Sequence, residues 1–117
     1  MAGLNAITFV VLDMAASLAF WQRAGFEIAY GGPDAPFTSV TLGDGSFVNL
    51  SANEANAEPG GRWGRVIVHV ASVEDVHAAM VDAGYEPHAA PKDAPWGERY
   101  FHITDPDGNE VSFARPL

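Results

Sequence analysis

Pro95-Trp96-Gly97-Glu98-Arg99-Tyr100-Phe101-His102-Ile103-Thr104-Asp105-Pro106-Asp107-Gly108-Asn109 reads as strand, tight turn, strand. The ring of Pro106 holds φ at about −65°, which suits the second position of a type I turn. Gly108 supplies the positive φ that closes the hairpin. Antiparallel partners are therefore expected over Glu98–Thr104 and Glu110–Ala114. Alone, Asp-Pro-Asp-Gly is only a good turn. Its weight comes from the Trp96-Gly97 ahead of it and from a second half of the chain that repeats the first.

Upstream of the hairpin, Arg65–Ala71 reads as a strand and Ser72 as a helix cap, with Asp75 completing an approximate capping box. Val73, Val76 and Met80 form an apolar stripe, and Gly84 stops the helix. Tyr85–Ala89 is read as the next strand. The first half has the same order. Asn5–Leu12 is a strand, Asp13 a cap, Met14, Leu18 and Trp21 a stripe, and Gly25 a stop. Strands follow at Phe26–Tyr30, Pro36–Leu42 and Ser46–Ser51, the last two joined by Gly43-Asp44-Gly45. Cap to glycine is 12 positions in both halves; Trp21 matches Met80, and Phe26 matches Tyr85. The pattern predicts one α+β domain over 1–117. It comprises two βαβββ units, about 4–51 and 64–115, joined by a linker over 52–63. Each helix is expected on the convex face of an open, barrel-like mixed sheet, leaving the other face for a cavity.

Composition narrows the function. The 117 residues suit one domain, and a 48% hydrophobic content suits a real core. There is no cysteine, hence no disulfide or thiolate chemistry. No run of about 18 apolar residues exists to span a membrane. No basic segment followed by an apolar stretch opens the chain, so no signal peptide is expected and cytoplasm is the default compartment. Fifteen acidic residues against six Lys and Arg give a net charge of −9. That balance argues against nucleic-acid binding and favours cationic ligands, while also serving solubility. No Ser-His-Asp arrangement, phosphate-cradling glycine loop or nucleotide fingerprint appears.

The repeat resembles the vicinal oxygen chelate superfamily, which includes glyoxalase I, ring-cleaving dioxygenases, fosfomycin-modifying enzymes and bleomycin resistance proteins. The residues that carry the resemblance are Val11-Leu12-Asp13-Met14, Ser17-Leu18-Ala19-Phe20-Trp21, Gly25-Phe26, Trp96-Gly97, Arg99, Phe101 and Asp105-Pro106-Asp107-Gly108-Asn109. The helix and the C-terminal end look most like the bleomycin-resistance branch. The resemblance implies a homodimer with clefts between units; whether strands are exchanged stays open.

The superfamily's enzymes hold a divalent metal with His, Gln or Glu from four strand positions. By register these are Ala6, Asn49, Arg65 and Ser112 here. Alanine cannot ligate, arginine is a permanent cation, and Asn and Ser are poor ligands for a transition metal. The reading is therefore no metal and no cofactor. A rival set, His69, His102 and Glu110, falls on the same strand parity and has the chemistry for zinc or iron. His102 also falls where ring-cleaving dioxygenases tend to carry an acid–base residue. His77 and His88 read as structural or solvated.

The same parity turns Thr8, Val10, Phe47, Asn49, Arg65, Ile67, His69, Tyr100, His102, Glu110 and Ser112 toward the cavity. Ile7, Phe9, Val11, Val48, Leu50, Val66, Val68, Val70, Phe101, Val111 and Phe113 turn toward the helices. The second set is uniformly apolar; the first mixes aromatic and polar groups, as a binding pocket does. Trp63, Trp96 and Phe37 add aromatic walls. The expected function is metal-independent sequestration of a small molecule, a cationic or aromatic antibiotic, with no catalytic residue. The alternative is a metal-dependent lyase or isomerase, or a ring-cleaving dioxygenase, of the same superfamily.

Overall fold

The structure is a computed structural model, and it describes residues 4–52 and 65–117. The first unit runs β1 (Ala6–Val10), α1 (Met14–Arg23), β2 (Glu27–Tyr30), β3 (Phe37–Thr41) and β4 (Phe47–Ser51). The second runs β5 (Arg65–His69), α2 (Val73–Asp82), β6 (Lys92–Asp93), β7 (Glu98–Thr104) and β8 (Glu110–Pro116). Each unit makes one four-stranded mixed sheet, ordered β1-β4-β3-β2 and β5-β8-β7-β6. Among the described residues the parallel pairs are β1 with β4 and β5 with β8, and β1 and β5 each occupy a sheet edge. The fold class is the expected one: two βαβββ units of α+β architecture with no closed barrel.

Local chemistry accounts for these elements. Asp13 accepts from the Ala16 N–H, and the Ser72 Oγ accepts from the Asp75 N–H, so both predicted caps satisfy a first-turn donor. Gly25 and Gly84 take positive φ one residue beyond the C-caps Ala24 and Ala83. Strand side chains alternate faces. Phe9, Val48, Leu50, Val66, Val68, Phe101, Val111 and Phe113 are accordingly buried toward the helices. One strand departs from expectation. The segment Tyr85–Ala89 is not a strand; the short pairing strand is β6, Lys92–Asp93. Pro87 lacks an N–H and the chain near it makes a single ladder-like bond, from the His88 N–H to the His102 carbonyl.

The units share one core through their helix-side faces. Trp21 on α1 packs on Phe9 of its own sheet and on Phe113 of the other, with ring centroids 6.4 and 6.2 Å apart. Phe26 stacks on Phe113, and Phe20 meets Tyr85 edge-on.

The Asp105–Asn109 turn adds a polar clasp. The Gly108 N–H donates to the Asp105 carbonyl at 3.1 Å, with Gly108 at φ 87°, as the sequence requires. The buried Asp105 carboxylate accepts from the N–H groups of Asp107 and Asn109 and from the Asn109 amide. Burial pushes its pKa up, and these hydrogen bonds oppose the shift. Asp107 then reaches into the first unit. It accepts from the Leu12 N–H at 3.0 Å and from the Ser17 hydroxyl.

Candidate functional site

The outer face of each sheet, away from the helices, carries the predicted ligand residues. On the first sheet, Thr8, Asn49 and Ser39 form a hydrogen-bonded row. Asn49 donates to Thr8 at 3.2 Å and accepts from Ser39 at 2.7 Å. Phe37 and Phe47 are half-buried on the same face. On the second sheet, Arg65, His69, Tyr100, His102, Glu110 and Ser112 share one face by strand register. Trp96 is a loop aromatic at its border, 67% exposed. Trp63 lies outside the described residues. The hydrogen bonds and ion pairs of these side chains run within each sheet. Phe47 and His69 nonetheless line one cavity between them.

The second face is built as an aromatic row edged by charge. Trp96 lies 5.7 Å from Tyr100, and Tyr100 lies 4.9 Å from His102, by ring centroids. Lys92 Nζ sits 5.7 Å over the Tyr100 ring. At one end, Glu98 accepts from the Trp96 indole at 2.9 Å and meets His69 Nε2 at 2.8 Å. The His69 contact, then the Trp96 contact, holds the Glu98 carboxyl below its ordinary range. At the other end, Arg65 pairs with Glu110 at 2.8 Å and lowers its pKa, while His88 Nδ1 stands 3.8 Å from the same carboxylate. His102 Nδ1 is hydrogen-bonded to the buried Ser112 hydroxyl. Burial first, then the Arg65 guanidinium, pushes the His102 pKa down and favours the neutral ring.

Two residues of this face escaped the sequence reading. Glu98 has the strand parity of Tyr100 and His102, so alternation was the available signal. His88 was read as structural or solvated, yet it bonds Thr104 and neighbours Glu110 and His102. No sequence signal marks it, because its place depends on a loop crossing the sheet edge. His77 packs edge-on against Phe101, as a structural residue does.

A divalent metal does not fit the four strand positions where the resemblance puts it. Ala6 brings no donor, Arg65 brings a guanidinium bound to Glu110, and Asn49 and Ser112 are engaged with Thr8, Ser39 and His102. The rival set is not gathered either. His69 turns to Glu98, His102 to Ser112 and Glu110 to Arg65. Among the described residues, no three His, Cys, Asp or Glu side chains form a metal-holding group.

Between the β1–β4 edge of the first sheet and β5 of the second lies a cavity of about 780 Å³. Its described lining is mostly apolar, including Ile7, Phe47, Val48, Val66 and Ile67, with Asp44, His69 and Glu98 at its polar points.

Solved structures share this fold end to end. A glyoxalase/bleomycin resistance protein/dioxygenase superfamily member from Sphaerobacter thermophilus is 25% identical, with TM-score 0.78 and 98% of both chains covered. TnmS3, an antibiotic binding protein from Streptomyces sp. CB03234, is 22% identical, with TM-score 0.80 over 100% of this chain and 98% of that one. TioX from Micromonospora sp. ML1 is 22% identical, with TM-score 0.78 over 99% and 100%. No curated protein matches the sequence. The family model for the Glyoxalase/Bleomycin resistance protein/Dioxygenase superfamily matches residues 3–113, and with two βαβββ units beneath that match the chain belongs to this superfamily.

Proposed function

We propose that this protein binds and sequesters a small molecule without transforming it, in the manner of a bleomycin resistance protein. The observation that carries the reading is the aromatic row Trp96–Tyr100–His102 on the second sheet, exposed at Trp96 and half-buried at Tyr100 and His102, bordered by the carboxylates Glu98 and Glu110. Flat rings stack on such a row, and a few polar groups fix their orientation. Likeness in fold to an antibiotic binding protein supports the ligand class. His69, Arg65 and Ser112 would complete this wall; Thr8, Phe37, Phe47 and Asn49 on the first sheet, and Trp63, are proposed as further ligand contacts. We take the working form to be a cytoplasmic homodimer. The exposed Trp96 and Ile67, at 67% and 55%, support a partner covering these faces.

The test is titration with bleomycin and with an anthracycline, followed by tryptophan fluorescence and melting temperature. Saturable binding that Trp96→Ala weakens about tenfold is expected. No shift with either compound at saturating concentration would overturn the reading. Light scattering on the same sample reads the dimer.

One observation favours a second reading. His102 is held neutral and oriented by Ser112, the state a general base needs. A lyase or isomerase using it would lose turnover in His102→Ala while keeping ligand affinity.

A further inference from the structure

Four carboxylates of the second unit differ in their partners. Glu110 is paired with Arg65, and Glu74 and Asp93 share Arg99. Glu98 is bonded instead to the Trp96 indole and to His69, and it lines the cavity beside β5. Across that cavity, in the β3–β4 hairpin, Asp44 accepts from the N–H and hydroxyl of Ser46. Both carboxyls are held below their ordinary range, Glu98 by His69 and Trp96, Asp44 by Ser46. No Lys or Arg stands among the described lining residues. Apart from Ser46 and His69, the rest of the described lining is aliphatic or aromatic, with room for a ligand of drug size at about 780 Å³. An anion or a zwitterion would meet two carboxylates with no Lys or Arg beside them in the described lining. A neutral apolar molecule would leave Glu98 with no permanent cation at the cavity. An apolar body carrying one positive charge satisfies both walls and carboxylates.

We propose that this cavity takes the apolar body of a lipophilic amine, with Glu98 as the counter-ion of its ammonium group and Asp44 as a weaker second. The proposal rests on the small-molecule-binding reading above and deepens it by naming the ligand's charge and the subsite that reads it. Trp96 belongs to the same subsite, because its indole N–H orients the Glu98 carboxylate while its ring stays open for a cation.

Three probes with one apolar body test it: naphthylmethylamine, naphthylmethanol and naphthoate, titrated calorimetrically into the full chain. The amine is expected to bind at least about tenfold more tightly than the alcohol, and the acid most weakly. Glu98→Gln should erase the amine's advantage over the alcohol; Asp44→Asn should reduce it by about threefold. Ile67→Trp, which fills the cavity without touching a charge, should weaken amine and alcohol alike. Equal affinities of amine and alcohol, or an amine preference that survives Glu98→Gln, would overturn the proposal and leave small-molecule binding standing. So would amine affinity that falls as protein concentration rises, since a second copy would then occupy the cavity. Silence from all three probes overturns the amine assignment, and the antibiotic titration decides separately whether the binding reading falls with it.

Discussion

The outer faces of the two sheets are built on the same register and carry different chemistry. On the first, Thr8, Ser39 and Asn49 satisfy one another, and the half-buried Phe37 and Phe47 flank them on either side. On the second, the equivalent strands carry Arg65, His69, Glu98, His102 and Glu110, tied by the Arg65–Glu110 ion pair and by hydrogen bonds of His69 to Glu98 and His102 to Ser112. The helix-side faces show no such divergence; both are buried and, apart from Thr38, apolar. Burial allows few residue types, whereas a solvated face tolerates almost any that find a partner. The repeat therefore conserves its core and specialises its exposed side.

The hairpin turns before β4 and β8 differ in the same way. Asp44 bonds only within its own loop. Asp107 bonds the other unit at two points, the Leu12 N–H and the buried Ser17 hydroxyl. One turn closes a hairpin; the other also fastens the units together.

The largest expected effect separates the two helices. Trp21 and Met80 hold matching positions, but Trp21 touches rings of both sheets. Trp21→Ala should cost about 4 kcal/mol and Met80→Ala about 3 kcal/mol, read by chemical denaturation. Equal losses would mean that α1 serves its own sheet alone.

Next come the turns. Asp107→Ala removes a charged acceptor from two donors, one of them on a buried serine, and should cost about 2 kcal/mol, or about 8 °C in Tm. Asp44→Ala, at an exposed tip, should leave Tm nearly unchanged. A large loss at Asp44 would show that both turns are structural clasps.

The smallest effect concerns the charged face. The folded-state pKa of His102 lies below its ordinary 6.5. Well above that value the ring is neutral in both states. As pH falls through about 6.5, the unfolded chain takes the proton first, so stability declines until the folded ring protonates too. Melting temperatures from about pH 7.5 to 5.5 should fall for the native protein and fall less for His102→Gln. Glu98 and Glu110, whose pKa values are lowered from 4.5, lose their contributions only below that range. An unchanged slope in His102→Gln would place the acid sensitivity elsewhere.

Much of the fold was legible beforehand, for identifiable reasons. Caps at Asp13 and Ser72 and stops at Gly25 and Gly84 depend on neighbours within a few residues, so local sequence suffices. Parity sorted core from outer face because strand side chains must alternate. The repeat places a strand around Pro87, whereas the missing donor of Pro87 prevents a ladder there. Of the site, the strand residues were legible; Glu98 was within reach of the same rule, and His88 was not.

Sequence alone therefore determined the two βαβββ units, the buried faces of β1, β4, β5, β7 and β8, and the turn at Asp105–Asn109. Each follows from backbone geometry or from hydrophobic periodicity, which act over short separations. Only the tertiary structure decided that Asp107 clasps the other unit, that Trp21 reaches a second sheet, and that Glu98 and Asp44 face one cavity. Those pairings join residues far apart in the chain, and their partners are chosen by how the units pack against each other.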